Sequence, residues 1–189
     1  MGPRILIDAC VLYPTVMREV VMGAAKAGLF QPVWSERILE EWARAAIKLG
    51  PTGEIQARSE IAMLRAAWPA AERPAAPQVA QRLWLPDEGD IHVLAVAVDA
   101  SVDMIMTLNA KDFPRGILAE EDLARVDPDS YLHQLWVDHP HVISQAANDV
   151  LATARKLSGK EWEMRALLKK ARLPRLAKAL SPPRQSGSA

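Results

Sequence analysis

Asp8, Asp90, Asp112 and Glu41 occupy positions from which carboxylates can act together. In a sheet of parallel strands, ligands gather outside the carboxyl ends of the strands. Asp8 directly follows the apolar run Ile5-Leu6-Ile7, and Asp112 lies in the polar turn after Met104-Ile105-Met106-Thr107. Asp90 opens a buried run at residues 91–98, and Glu41 borders the apolar stripe of a helix beside Trp42. Four carboxylates brought to one cleft repel one another unless a hard divalent cation neutralises them. Mg2+ and Mn2+ prefer oxygen ligands and complete their shells with water and substrate phosphate. Such ions activate a water and stabilise the attacking and leaving oxygens of an in-line phosphodiester displacement. Each acid also has a plain structural role open to it. Asp90 suits a helix cap, Asp112 an Asx-turn, and Glu41 an exposed helix acid alongside Glu40. Asp8 fits such a role least, because an acid directly after Ile-Leu-Ile must sit at the edge of the core.

The elements that would position these acids are legible as alternating strands and helices. Arg4-Ile5-Leu6-Ile7 and Gln31-Pro32-Val33-Trp34 read as strands. Between them Val16, Val20, Val21, Ala24 and Ala25 recur at helical spacing until Gly28. Ser35 is a good N-cap for a second helix whose stripe is Ile38, Leu39, Trp42, Ala45 and Ala46, ended by Gly50-Pro51. A further helix is expected over about residues 52–68, and a loop over the Ala/Pro-rich stretch 69–77. The run 91–98 could be strand or helix; its length, its alanines and Asp90 as cap favour helix. Residues 103–107 read as another strand, with a helical turn near 116–118 and an edge strand near 124–126. This alternation predicts an α/β fold, a parallel sheet covered by helices on both faces.

Past Asp127-Pro128 the pattern becomes wholly helical, with stripes at Tyr131, Leu132, Leu135 and Trp136, and then at Val142, Ile143, Ala146, Ala147, Val150 and Leu151. Shorter helices are expected around Leu167, Leu168, Leu173 and Leu176. The expected division is a body over 1–127, a helical extension over 128–180 and a disordered Pro/Ser/Gly-rich tail over 181–189.

Charge follows the same division. The 189 residues balance 23 Lys+Arg against 23 Asp+Glu. Residues 1–150 nevertheless hold 13 basic against 21 acidic side chains, and residues 151–189 hold 10 against 2. An acidic body suits cation binding, and a basic tail suits a polyanion or an acidic partner; a solvated helical face is the equally weighted plain reading. One Cys excludes an internal disulfide and a cysteine-built zinc site, and fits a reducing cytoplasm. The N-terminus lacks a signal-like apolar stretch, and no apolar run reaches the ~18–20 residues of a membrane span.

These residues resemble a family. Ile5-Leu6-Ile7-Asp8-Ala9-Cys10-Val11-Leu12 is similar to the opening strand of PIN-domain nucleases, and Ser35-Glu36-Arg37-Ile38-Leu39-Glu40-Glu41-Trp42 to their acidic second helix. Asp90-Ile91-His92-Val93-Leu94-Ala95-Val96-Ala97, followed by Met106-Thr107-Leu108-Asn109-Ala110-Lys111-Asp112-Phe113-Pro114, resembles their closing pattern. The resemblance covers roughly residues 4–127 and implies a three-layer α/β/α body. It implies a Mg2+- or Mn2+-dependent endoribonuclease, the toxin of a VapBC-type toxin–antitoxin pair, with RNA as substrate, a cognate antitoxin as partner, and pairing into a homodimer. Residues 128–180 look like the C-terminal extension of one VapC subgroup. Carried over by residue, the resemblance makes Asp8 and Asp90 direct metal ligands, Asp112 a ligand of a second ion or a water-orienting acid, and Glu41 a fourth acid of the metal site, with Glu40 as the alternative. Asn109 would hydrogen-bond the ligands. Two positions depart from the family: Cys10 stands where many members carry Asn, and Gly89 where many carry a second acid.

Other residues are expected to be structural. Cys10 lacks a supported His nearby and reads as a small core thiol. His92 lies two residues after Asp90, so on a helix the two face different ways. His133, His139 and His141 show no ligand spacing, and most Trp residues read as core, with Trp84 in a loop. The basic side chains from Arg155 to Arg175, with Lys111 and Arg115, are candidates for gripping RNA phosphates or for docking an acidic antitoxin. A catalytically inactive PIN-like module binding RNA or a protein partner is the alternative function. A haloacid-dehalogenase-like phosphatase fails because Asp8-Ala9-Cys10 lacks the second Asp, and a P-loop enzyme is disfavoured because no Gly-rich phosphate loop is present.

Overall fold

The computed structural model describes residues 2–181. The tail expected to be disordered lies, apart from Ser181, outside the described residues. The chain runs β1 (Arg4–Ile7), α1 (Ala9–Leu12), α2 (Thr15–Lys26), β2 (Gln31–Ser35), α3 (Glu36–Ala45), α4 (Gly53–Ala67), β3 (Glu72–Arg73) and α5 (Pro77–Ala80). It continues through α6 (Ile91–Asp99), β4 (Met104–Met106), α7 (Arg115–Glu120), β5 (Ala124–Val126) and four helices, α8 (Pro128–Asp138), α9 (Pro140–Ser158), α10 (Met164–Lys170) and α11 (Pro174–Ala179). Short 3-10 turns at Ala46–Leu49 and Glu88–Asp90 precede α4 and α6.

The five strands form one sheet in the order β3-β2-β1-β4-β5, and every pairing is parallel. The central strands are short apolar runs with no alternation, because both faces are covered: Ile5, Leu6, Ile7, Ile105 and Met106 have no solvent exposure. Right-handed crossovers put α2, α3 and α4 on one face and α6 and α7 on the other, since the chain steps one way from β1 to β3 and then back past β1 to β4. The reversal leaves a crevice at the carboxyl ends of β1 and β4, the topological switch point where α/β sheets bind ligands.

Local signals set the helix ends. The Ser35 hydroxyl accepts from the Ile38 amide at 3.4 Å and caps α3. Residues 91–98 resolve as helix, as their length and alanines predict. One expectation fails: the stretch 69–77 is not wholly loop. Glu72 and Arg73 pair with Trp34 and Ser35 as a two-residue edge strand. Two polar residues between alanines and prolines carry no period, so only the neighbouring strand reveals them.

Helices α8 to α11 build onto the body through α2. Gly23 of α2 makes this possible, because a Cβ there would stand 2.8 Å from the Ala146 Cβ of α9. Ile143, Leu168, Leu173 and Leu176 join the same buried cluster as the sheet. The Asp129 carboxylate, 5% exposed, accepts from the Arg175 and Leu176 amides at 2.9–3.1 Å and so anchors the start of α11. Among the described residues, no helix is long and apolar enough to cross a membrane.

Candidate active site

Two parallel strands bring the first parts of the site together. Ile7 pairs with Met106, so the residues that follow, Asp8 and Thr107, emerge side by side at the switch point. The buried Thr107 hydroxyl donates to Asp8 Oδ2 at 2.6 Å, and the Asn109 amide donates to the same hydroxyl at 2.9 Å. Asp8 is thus fixed by its neighbour strand, and the turn carrying Asn109 and Asp112 is fixed by the same oxygen. The Asn109 side-chain amide donates to Asp112 Oδ2. From β5, Arg125 donates to the carbonyl oxygens of Ala110 and, at 2.8 Å, of Phe113, which staples this loop from below.

Asp90 arrives from the other side of the sheet at the start of α6. It occupies the cap position, yet its side chain makes no capping hydrogen bond. The plain structural reading is therefore not used, and the carboxylate is left facing its own kind. Asp87, Asp90 and Asp112 each offer an oxygen such that all three lie within 4.8 Å of one another. Burial pushes the Asp90 carboxyl up to about 6, and the negative charges of Asp8, Asp87, Asp112 and Glu41 push in the same direction. Asp8 is the strongest of those charges. One carboxyl thus registers the field of every acid the sequence singled out, plus Asp87.

Glu40 and Glu41 separate cleanly. Glu40 turns outward to Arg58 at 2.9 Å and Arg44 at 3.1 Å, whose hydrogen bonds hold its carboxyl down at about 2. Glu41 turns toward α6, where His92 Nε2 stands 2.8 Å from its Oε1, off the line of a hydrogen bond, and Arg37 Nε lies at 3.4 Å. Arg37 also donates to the Gly89 carbonyl at 3.1 Å, tying α3 to the turn that presents Asp87 and Asp90.

Cys10 has a supporting part. Its Sγ donates to Asp8 Oδ2 at 3.0 Å and accepts from the Leu108 amide at 3.3 Å. Burial, together with the Asp8 charge, pushes the thiol up to about 12. It stays protonated at neutral pH and is no nucleophile. As a donor to Asp8 it supplies polar support at the position where many relatives of the resemblance carry Asn.

Sequence reasoning missed Asp87, Thr107 and Arg125. Asp87 had a readable signal: it lies three residues before Asp90, and one 3-10 turn over Glu88–Asp90 sets i and i+3 on the same side. Its side chain also accepts from the Gly89 amide at 2.8 Å. Thr107 and Arg125 had none, since their roles depend on which strands become neighbours. Glu41 lies at the rim beside Arg37 and His92, outside the trio of clustered oxygens. Asp8, although outside that trio too, has its charge directed on Asp90.

The donor set is all oxygen, crowded, and short of cations within contact, which fits a hard divalent ion and no soft one. No curated protein and no solved structure matches this chain. The PIN domain family model matches residues 4–111, more than half of the chain, and spans Asp8, Glu41, Asp87 and Asp90. With a parallel sheet that reverses between β1 and β4 and acids gathered at that reversal, the chain belongs to the PIN domain family, whose members are generally nucleases.

Proposed function

We propose that this protein is a Mg2+- or Mn2+-dependent endoribonuclease acting as the toxin of a VapBC-type pair. The observation that carries the reading is the convergence of Asp87, Asp90 and Asp112, which each offer an oxygen within 4.8 Å of the others, with the charge of Asp8 also falling on Asp90. A site that only stabilised the fold would pair these acids with arginines, as Glu40 is paired; of the acids at the mouth, only Glu41 has one among the described residues, Arg37. Asp8, Asp90, Asp112 and Asp87 would hold the ion, with Glu41 at the rim. When bound, the ion would supply an activated water and charge stabilisation for phosphodiester cleavage. Thr107 and Cys10 orient Asp8 by donating to its Oδ2. Asn109 orients Asp112, and Arg125 holds the loop on which both sit.

RNA is preferred over duplex DNA because single strands and loops enter a narrow cleft and present splayed bases. The basic side chains of residues 155–178 would grip the phosphate backbone or an acidic antitoxin; Arg155 and Lys170 are already engaged, by the Trp162 carbonyl at 2.8 Å and the Trp162 ring at 5.1 Å. The division at residue 127, a homodimer and a cytoplasmic location belong to the same reading. Incubation with single-stranded RNA in Mn2+, with and without EDTA, tests it. Cleavage that EDTA stops, and that Asp8→Ala abolishes with the fold intact, supports the reading. Equal cleavage by parent and Asp8→Ala defeats the site assignment, and no Mn2+ binding by calorimetry favours an inactive module. A gene encoding a small DNA-binding, acidic-tailed protein directly upstream would support the toxin role.

A further inference from the structure

Beside the acidic mouth lies a cavity of about 460 Å3, walled by the first turn of α3, the start of α6 and residues 72–80. That volume falls in the range of small-ligand sites, ~300–1,000 Å3. Ala80, Ala95 and Val96 give it apolar faces, while Arg37, Arg73 and His92 bring polar atoms. Among the described residues, Arg73 Nε and both His92 ring nitrogens are buried without a hydrogen-bond partner. Buried polar groups of this kind are costly to leave unsatisfied and are normally paired, so the wall that carries them is short of acceptors. The Glu72 carboxylate on the same wall is occupied by Arg65 at 2.6 and 2.8 Å, so it does not answer Arg73. Glu36, also on the wall, adds an acceptor to the donors.

His92 and Arg37 stand between the cavity and Glu41, at the rim of the acid cluster. His92 lines the cavity and stands 2.8 Å from Glu41; Arg37 lines it and reaches both Glu41 and the Gly89 carbonyl. For a strand whose phosphate is held at the acids, this opening lies on the side of Glu41 and the Gly89 turn. Apolar walls with a few mixed donors and acceptors suit a splayed base of single-stranded RNA, which proteins read by packing on its faces and by edge hydrogen bonds.

We propose that this cavity takes the nucleobase next to the cleaved phosphate and sets the base preference of the cut, an inference that rests on the ribonuclease reading. Arg73 and Glu36 then face the base edge, and Ala80, Ala95 and Val96 flank its faces. The test is sequencing of the cut ends from a randomised single-stranded RNA treated with the parent, Ala80→Trp, which fills the cavity, and Arg73→Met, which removes the donors without adding bulk. Mn2+ affinity is measured in parallel by calorimetry. A parental preference of about tenfold or more at one position beside the cut is expected. Both variants should flatten it to within about twofold while Mn2+ affinity stays parental. If Ala80→Trp fails to melt cooperatively, Arg73→Met alone decides. Cleavage with an unchanged base profile in the folded variants overturns the cavity's role and leaves the ribonuclease reading standing. A parent that cuts no RNA in Mn2+ overturns both.

Discussion

Glu40 and Glu41 are consecutive residues of one helix with opposite surroundings. Glu40 lies under two arginines, which hold its carboxyl down at about 2. Glu41 faces the mouth of the sheet, where it helps raise Asp90 to about 6. On the outer face of α3 and α4 every acid named has its base: Arg58 joins Glu40 to Glu54 at 2.9 and 2.7 Å. At the switch point, Asp8 is answered by a hydroxyl and a thiol, Asp112 by an amide, and Asp87 by a backbone N–H. These donors orient carboxylates without cancelling their charge. The outer face is electrostatically finished; at the mouth the charges of Asp8, Asp87, Asp90 and Asp112 are left uncancelled by any base in contact among the described residues. The first arrangement adds little to a fold, and the second is what a metal-dependent site requires.

That contrast breaks most visibly at Asp90. Asp90→Asn keeps the shape but removes the carboxylate on which the others converge. Losing a group that merely supports a metal ligand costs ~10–100-fold, so losing the central acid should lower RNA cleavage by at least about a hundredfold. Initial rates in Mn2+ check this. Asn at 90 with parental rates would mean the acids are not the site.

A smaller loss is expected at Thr107, which acts through Asp8 and through the Asn109 turn. Thr107→Val keeps the volume but leaves Asp8 Oδ2 with only the Cys10 thiol and the Asn109 amide with no partner. Cleavage should fall by about tenfold, with Mn2+ affinity weakened in step. Thr107→Ser should recover most of both, because it restores the hydroxyl. Recovery separates orientation of Asp8 from simple damage to the core.

The part of this site visible in sequence was the part carried by local pattern. Asp8 and Asp112 follow short apolar runs, Asp90 opens an apolar helix, and Ser35 caps the helix that holds Glu41. Local pattern also gave the alternation of strands and helices, so the parallel sheet was legible with its helical C-terminal part. Contacts between strands were not. Thr107 matters because β4 pairs with β1, and Arg125 because β5 pairs with β4. Strand β3 is two residues defined wholly by β2. Position in the helix favours Glu41 over Glu40; the surroundings that set the two apart, Arg58 on α4 and His92 on α6, were not legible.

The metal-free protein should also show the cost of the mouth as a pH dependence of stability. Asp90 moves from 3.8 in an exposed carboxyl to about 6 in the fold. Between those values the folded state binds the proton that the unfolded state has lost, so stability falls as pH rises from about 4 to 6. Below 4 both states are protonated and the cost vanishes; above 6 it is complete. Because Asp90 is partly exposed, screening reduces the effect to about 1–2 kcal/mol. In EDTA at pH 7, Asp90→Asn should therefore be the more stable protein by about 1 kcal/mol, and at pH 3.5 the two should melt together. Adding Mn2+ should stabilise the parent above the variant, since binding to the folded state alone raises its stability.

Glu40→Gln should have the least effect, and it sharpens the comparison because it removes a charge one residue from Glu41. The Glu40 ion pairs are solvent-exposed, and such pairs are screened by salt and offset by the entropy of holding long side chains. The variant should cut RNA at the parental rate, bind Mn2+ with parental affinity, and melt only slightly lower at low salt, with the difference closing in concentrated salt. Glu41→Gln, tested beside it, should weaken cleavage by lowering the negative field at the mouth and loosening Arg37, which bonds Glu41 and the Gly89 carbonyl. Equal rates for these two variants would show that the direction a carboxylate faces on α3 has no bearing on catalysis. A deficit confined to Glu41→Gln would show instead that the divide between acids serving the mouth and acids serving the outer face runs between two consecutive residues of one helix.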